Sequence, residues 1–149
     1  MHKKTILPPT YFYITLIIIF IFHFTIPVKI VINYPWNLIG LIPAFIGSVL
    51  NIVADNKFKT AGTTVKPFEK SSILITSGIF RISRNPMYLG MVLILLGASL
   101  ICGTLSPYFI IPIFIFIIQI KFIKEEEKML FKEFGNEWKE YKQRVRRWI

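Results

Sequence analysis

Four apolar blocks decide what this chain can fold into. They cover residues 11–32 ("YFYITLIIIFIFHFTIPVKIVI"), 38–54 ("LIGLIPAFIGSVLNIVA"), 86–102 and about 108–123. A helix that crosses a bilayer needs about 20 apolar residues, within a range of about 17–25. The first block is long enough, the second and third sit at the lower bound, and the fourth is short. Flanking aromatics and local bilayer thinning absorb such shortfalls. With 54% hydrophobic and only 17% charged residues, the chain carries less charge than a soluble domain of its size. The blocks predict an all-α integral membrane protein: about four transmembrane helices, then a C-terminal cytoplasmic amphipathic helix. Residues 1–149 form one domain, since no length is left for a second. "MHKK" before the first block reads as the start of an uncleaved span. The block is longer than a signal h-region, and no small-x-small cleavage site follows it.

Charge sets the expected orientation. Lys3 and Lys4 precede the first block. Lys57, Lys59, Lys66, Lys70, Arg81 and Arg84 lie between the second and third. A further basic set begins at Lys121. The short connections "NYPWN" and "GTLSP" carry no Lys or Arg. By the positive-inside rule, both termini and the 55–85 loop are cytoplasmic. The net charge of +10 is thus a topology signal and does not call for nucleic acid. A single Cys (Cys102) excludes an internal disulfide. With His2 and His23 it gives no zinc spacing, so no metal is expected. His23, inside the first span, reads as a neutral imidazole hydrogen-bonded to a neighbouring helix.

Gly40, Ala44, Gly47 and Ser48 put small side chains along the second span, where another helix can approach closely. In the 55–85 loop, Val65, Phe68, Ile73, Leu74, Ile75, Ile79 and Phe80 argue against disorder. They predict a segment folded back onto the membrane face, with a short β-like run at Ile73–Ile75. In the 124–149 tail, Leu130, Phe134, Trp138, Tyr141, Val145 and Trp148 form one helical stripe. It reads as an amphipathic helix lying in the interface, broken at Gly135.

Two pieces carry chemistry. In "RNPMYLG", Asn85 is suited to cap a helix and Pro86 to its first position. A helix start attracts anions, and Arg84 adds a fixed positive charge. Tyr88 brings a hydroxyl, and Gly90 leaves room for a ligand or a helix. The second piece, "EEEKML" (125–130), places three carboxylates just past the fourth block. Each piece also has a purely structural reading, as an anchored helix start and a solvated charged turn. Spans three and four form a hairpin, however, so the pieces meet. They then present both signs of charge at membrane level.

These residues resemble the membrane methyltransferases typified by isoprenylcysteine carboxyl methyltransferase and phospholipid N-methyltransferase. The family pattern is Arg-His-Pro-x-Tyr-x-Gly, a hairpin, Glu-Glu-x-x-Leu, then Phe-Gly-x-x-Tyr/Trp-x-x-Tyr. It falls here on Arg84, Pro86, Tyr88 and Gly90, then Glu126, Glu127 and Leu130, then Phe134, Gly135, Trp138 and Tyr141. The resemblance implies S-adenosyl-L-methionine as cofactor, without the dinucleotide-binding G-x-G-x-x-G pattern, which this chain lacks. It implies Leu74, Ile75, Phe80, Asn85, Pro86, Met87, Tyr88 and Glu126 as cofactor neighbours, with Arg84 and Glu127 as candidate catalytic residues. The implied partners are membrane lipids and a lipid-like or prenylated amphiphile with a carboxyl, amine or phenolate acceptor. Asn85 stands where the best-known members have His, so no proton step near neutral pH is available there. Phe80 replaces a Tyr of some members, and Phe122 replaces an Arg that some use for a substrate carboxylate. A small non-enzymatic membrane scaffold or accessory subunit is the alternative. A nicotinamide-dependent membrane reductase is a third reading.

Overall fold

The computed structural model describes residues 7–62 and 73–149. Five α-helices carry the fold: α1 (Pro8–Thr25), α2 (Leu41–Thr60), α3 (Pro86–Cys102), α4 (Ile110–Ile118) and α5 (Lys124–Arg144). The described residues form no β-strand; one isolated antiparallel bridge joins Ile30 and Thr104. Val65 and Phe68 lie outside the described residues. Ile73–Ile75 is irregular chain rather than the β-like run expected.

Three helical stretches are long and apolar enough to cross a membrane: Pro8–Thr25, Trp36–Thr60 and Ser106–Arg144. α3 is shorter, at 17 residues. At a rise of about 1.5 Å per residue it measures about 25 Å. Large apolar side chains such as Ile17, Phe24, Phe45, Ile52 and Phe116 are exposed on the outside of the bundle. A water-soluble monomer does not display so much apolar surface, and this one fits an integral membrane protein.

The first apolar block is helical only to Thr25. Pro27 follows two residues later, and the chain turns away with Val28 at φ 38°. The remainder of the block hooks onto the α3–α4 turn. Val31 N–H donates to the Gly103 carbonyl (2.8 Å) and Leu105 N–H to that of Lys29 (2.9 Å). Gly103, at φ 71°, closes α3 in the left-handed conformation that glycine supplies without strain. At this end of the bundle the His23 ring lies 2.9 Å from the Thr104 hydroxyl, so its partner is the α3–α4 turn.

α3 is the central helix. It touches α1, α2 and α4, with its largest interface against α2. Glycines make that interface close. A Cβ at Gly90 would lie 2.6 Å from the Gly47 carbonyl, and Gly97 faces Gly40 and Ala44 in the same way. The room expected at Gly90 is therefore filled by α2. Lipid tails are as apolar as these side chains, so the gain here is packing and dispersion rather than removal of surface from water. On its other faces α3 sends Met91 and Leu95 into a core with Ile19, Phe114, Ile118 and Phe122.

A π-helical turn, Gln119–Ile123, joins α4 to α5 without a break. It resets the helical phase just before the carboxylate run. Beyond it Glu126 and Glu127 turn inward while Glu125 stays exposed. α5 bends at Gly135, which has φ 51°. The stripe beyond the bend meets protein rather than lipid: Trp138, Tyr141 and Val145 pack with Ala54 of α2 and Phe80, and Leu130 and Phe134 flank them. The Tyr141 hydroxyl donates to the Phe80 carbonyl (2.7 Å), fixing the 3₁₀ turn Gly78–Arg81 that leads into α3.

Candidate functional site

The residues "SRN" deliver the chain to α3. Ser83 is buried, and its hydroxyl accepts the Asn85 N–H (3.1 Å). Pro86 takes the first helical position, as the sequence predicts. Asn85 occupies the cap position, but its side chain makes no cap hydrogen bond. Its amide instead donates to the Arg147 carbonyl (3.0 Å). The Ser83 hydroxyl reaches the same carbonyl (3.4 Å), and Arg84 N–H donates to the Arg146 carbonyl (3.1 Å). The chain end after α5 thus lies as a strap across the start of α3. Trp148 anchors its far end, with the indole N–H donating to the Gln119 side chain (3.3 Å).

Above this start the two chemistry-bearing pieces meet. The Tyr88 hydroxyl donates to Glu126 Oε1 at 2.6 Å. Burial holds the Glu126 carboxyl above the usual carboxylate range. The Tyr88 hydrogen bond opposes that rise, and the neighbouring Glu127 charge adds to it. Glu127 is bracketed by two guanidiniums. Arg147 binds it bidentately, Nε to Oε1 at 2.9 Å and Nη2 to Oε2 at 2.7 Å. Arg84 Nη1 lies 3.2 Å from Oε1. The Arg147 hydrogen bonds raise that group's pKa. Arg84 is lowered, because burial outweighs its attraction to Glu127 and Arg147 adds repulsion.

The Arg84 side chain is only 7% exposed. Its guanidinium lies over the Trp138 ring, 5.4 Å from the centroid. Among the described residues neither its Nε nor its Nη1 has a hydrogen-bond acceptor; the Glu127 contact is close but poorly directed. A buried donor without an acceptor costs about 1–3 kcal/mol.

The sequence pairs Arg84 with the carboxylate run as a whole. In the structure it meets Glu127, while Glu126 belongs to Tyr88. Leu74, Ile75, Phe80 and Met87 gather in the cluster around Trp138, and Arg84 over that ring links the cluster to the carboxylates. Leu74 and Ile75 also line a cavity of about 250 Å3, together with Lys57, Thr60, Thr76 and Ser77. Two participants escaped the sequence reading, Ser83 and Arg147. "VRRWI" is one basic cluster among several, and nothing in it says that the chain doubles back.

A family model described as phospholipid methyltransferase matches residues 36–137, well over half of the chain. The chain belongs to the phospholipid methyltransferase family. The match includes Ser83–Gly90 and the whole carboxylate run, and it ends one residue short of Trp138. The strap carrying Arg147 lies beyond it. A relative from Haemophilus influenzae, an uncharacterized protein, is 43% identical over 63 residues. That is 42% of this chain and the full length of the relative. Membership in the phospholipid methyltransferase family implies a membrane methyltransferase, in accord with the resemblance of the motifs.

Proposed function

We propose that this protein is an integral membrane methyltransferase that uses S-adenosylmethionine to methylate a lipid-like or prenylated amphiphile. In this reading α3 spans with the other three stretches, and both termini and the site face the cytoplasm. One observation carries it: Arg84, Tyr88, Glu126 and Glu127 converge at one level, inside the family-matched segment.

The residues fit the cofactor. Arg84 offers buried donors that have no acceptor among the described residues, which suit a carboxylate. Glu126, aimed by Tyr88, suits hydroxyl or ammonium donors. Leu74, Ile75, Phe80 and Met87 supply an apolar wall suited to a flat base. Asn85 and Pro86 act from behind, fixing the start of α3. When bound, the cofactor supplies an electrophilic methyl on a sulfonium. The protein's task is then to align an acceptor atom with that methyl and keep the site dry. Both Glu127 oxygens accept from Arg147, so positioning suits Glu127 better than the role of base. The acceptor, whether carboxyl, amine or phenolate, reaches the site from the bilayer.

The scaffold reading draws on the internal pairing of Glu126 and Glu127, which needs no ligand. The unsatisfied Arg84 donors weigh against it. Calorimetry on the protein in nanodiscs tests the proposal. Saturable binding of S-adenosylmethionine, weakened about tenfold or more by Glu126→Ala or Arg84→Ala, supports it. Absence of binding overturns it. Incubation of membranes with methyl-labelled cofactor, followed by separation of lipid and protein, then identifies the acceptor class.

A further inference from the structure

The strap beyond α5 does more than close the fold. Arg84, Arg147 and Glu127 form a triad with two positive charges and one negative. Arg147 takes both Glu127 oxygens with good geometry, at 2.9 and 2.7 Å, whereas Arg84 has only the poorly directed 3.2 Å approach. The guanidinium that wins the carboxylate is the more exposed one, at 29% against 7%. The buried one keeps Nε and Nη1 unsatisfied among the described residues. Coulombic attraction alone would pair the buried Arg84 with Glu127, because screening is weakest there. The strap prevents this. Its backbone is pinned by Asn85, Ser83 and Arg84 N–H and its end by Trp148, so Arg147 is delivered to Glu127 in a fixed position.

We infer that Arg147 is a positioning residue: by occupying Glu127 it keeps Arg84 free to bind the carboxylate of the cofactor's amino-acid moiety. This rests on the methyltransferase reading above. Without Arg147, Glu127 turns to Arg84, the triad loses its excess positive charge, and the anion-binding donors are consumed inside the protein. Arg147 itself touches no ligand. Its effect is confined to ligands that carry the carboxylate.

The test uses two probes with the full-length protein in nanodiscs. S-Adenosylhomocysteine has the amino-acid carboxylate; 5′-methylthioadenosine lacks the whole amino-acid moiety. Arg147→Ala is expected to weaken S-adenosylhomocysteine about tenfold to a hundredfold, the worth of a charge-assisted hydrogen bond, and to leave methylthioadenosine within about twofold. The double variant Arg147→Ala/Glu127→Gln removes the competing carboxylate, so S-adenosylhomocysteine binding returns most of the way. Equal weakening of both probes, or no recovery in the double variant, means that the strap is only structural and overturns the inference. Unchanged S-adenosylhomocysteine affinity in Arg147→Ala overturns it as well. Should Arg147→Ala fail to fold, the comparison passes to Arg147→Lys, which keeps a charge but not the bidentate hold. It must then weaken S-adenosylhomocysteine selectively. Wild-type protein that binds neither probe defeats the methyltransferase reading itself and the inference with it. Wild type that binds both probes, with no selectivity in the variants, defeats only the inference.

Discussion

Glu126 is a residue whose two duties conflict. Burial lifts its carboxyl above the ordinary range, so the folded state holds the proton more tightly than the unfolded chain. The contribution is fully present below the unfolded pKa and is lost as pH rises through the folded one. Stability should therefore fall as pH rises above the ordinary carboxylate range, and the Glu126→Gln protein should show a flatter profile. Thermal unfolding in detergent across that rise checks this. Above the folded-state pKa of Glu126, the Glu126→Gln protein should be at least as stable as wild type, yet bind S-adenosylmethionine more weakly, because an amide is a poorer acceptor than a carboxylate. Tyr88→Phe acts differently. It removes the 2.6 Å donor and leaves a half-buried carboxyl short of a partner, so both stability and affinity drop, the former by about 1–3 kcal/mol. That Arg84 and the carboxylates meet was legible, because two apolar blocks joined by "GTLSP" must return to the same side. Which carboxylate meets which partner was not. Helical phase decides it, and the phase is reset by the π turn Gln119–Ile123, for which "QIKFI" carries no signal.

Elements here are held by two kinds of glycine, and substitutions separate them. At Gly90 the obstacle is steric: a side chain meets the Gly47 carbonyl and the Asn51 amide across the α2–α3 interface. Gly90→Val should force the helices apart, costing about 1–3 kcal/mol or more, as overpacking does. Because Gly90 lies one turn above Pro86, cofactor binding should fall with it. At Gly135 nothing among the described residues lies within 4 Å of an added Cβ, and the obstacle is the backbone, at φ 51° and ψ −112°. Gly135→Ala should cost about 1–3 kcal/mol, because that φ/ψ pair lies outside the left-handed helical region and is open essentially to glycine alone. It should chiefly loosen the half-helix carrying Trp138 and Tyr141. Tryptophan emission would report that loosening, while the α2–α3 packing stays intact. The small-residue stripe of the second block announced a close helix neighbour but not its identity. The stripe from Leu130 to Val145 likewise announced a buried face. An amphipathic pattern states that a face is covered, not by what, and here α2 and Phe80 cover it instead of lipid. The end of α1 at Thr25 was legible in principle, since Pro27 interrupts the block; length alone hid it.

The whole molecule has two unlike ends. One holds the hook at Lys29–Val31, the Gly103–Leu105 turn and the His23–Thr104 contact, with few charges. The other gathers Arg84, Glu126, Glu127 and Arg147, with Lys57 and Lys59 in the last turn of α2 and Lys121 in the π turn before α5. Composition revealed this asymmetry directly, because Lys and Arg crowd the segments that flank one end. It did not reveal that several of these charges are spent on one another. Arg147 is held by Glu127 and Arg84 is buried beside it, so fewer of the 18 basic residues are available to the lipid surface than the net charge suggests. The charge asymmetry survives that reduction, since the opposite loops carry almost no basic residue to compete. It makes an orientation claim that a label can check. In a background with Cys102→Ala, single cysteines at Asn33 and Gln143 sit at exposed positions on the two ends. A membrane-impermeant maleimide should modify Asn33→Cys in right-side-out vesicles and Gln143→Cys only in inverted ones. The reverse pattern would put the site on the outer face, away from a cytoplasmic methyl donor. Labelling of both cysteines from one side would require an even number of crossings between them, as a re-entrant α3 would give, and would remove the four-span reading while leaving the convergence of Arg84 and Glu127 untouched.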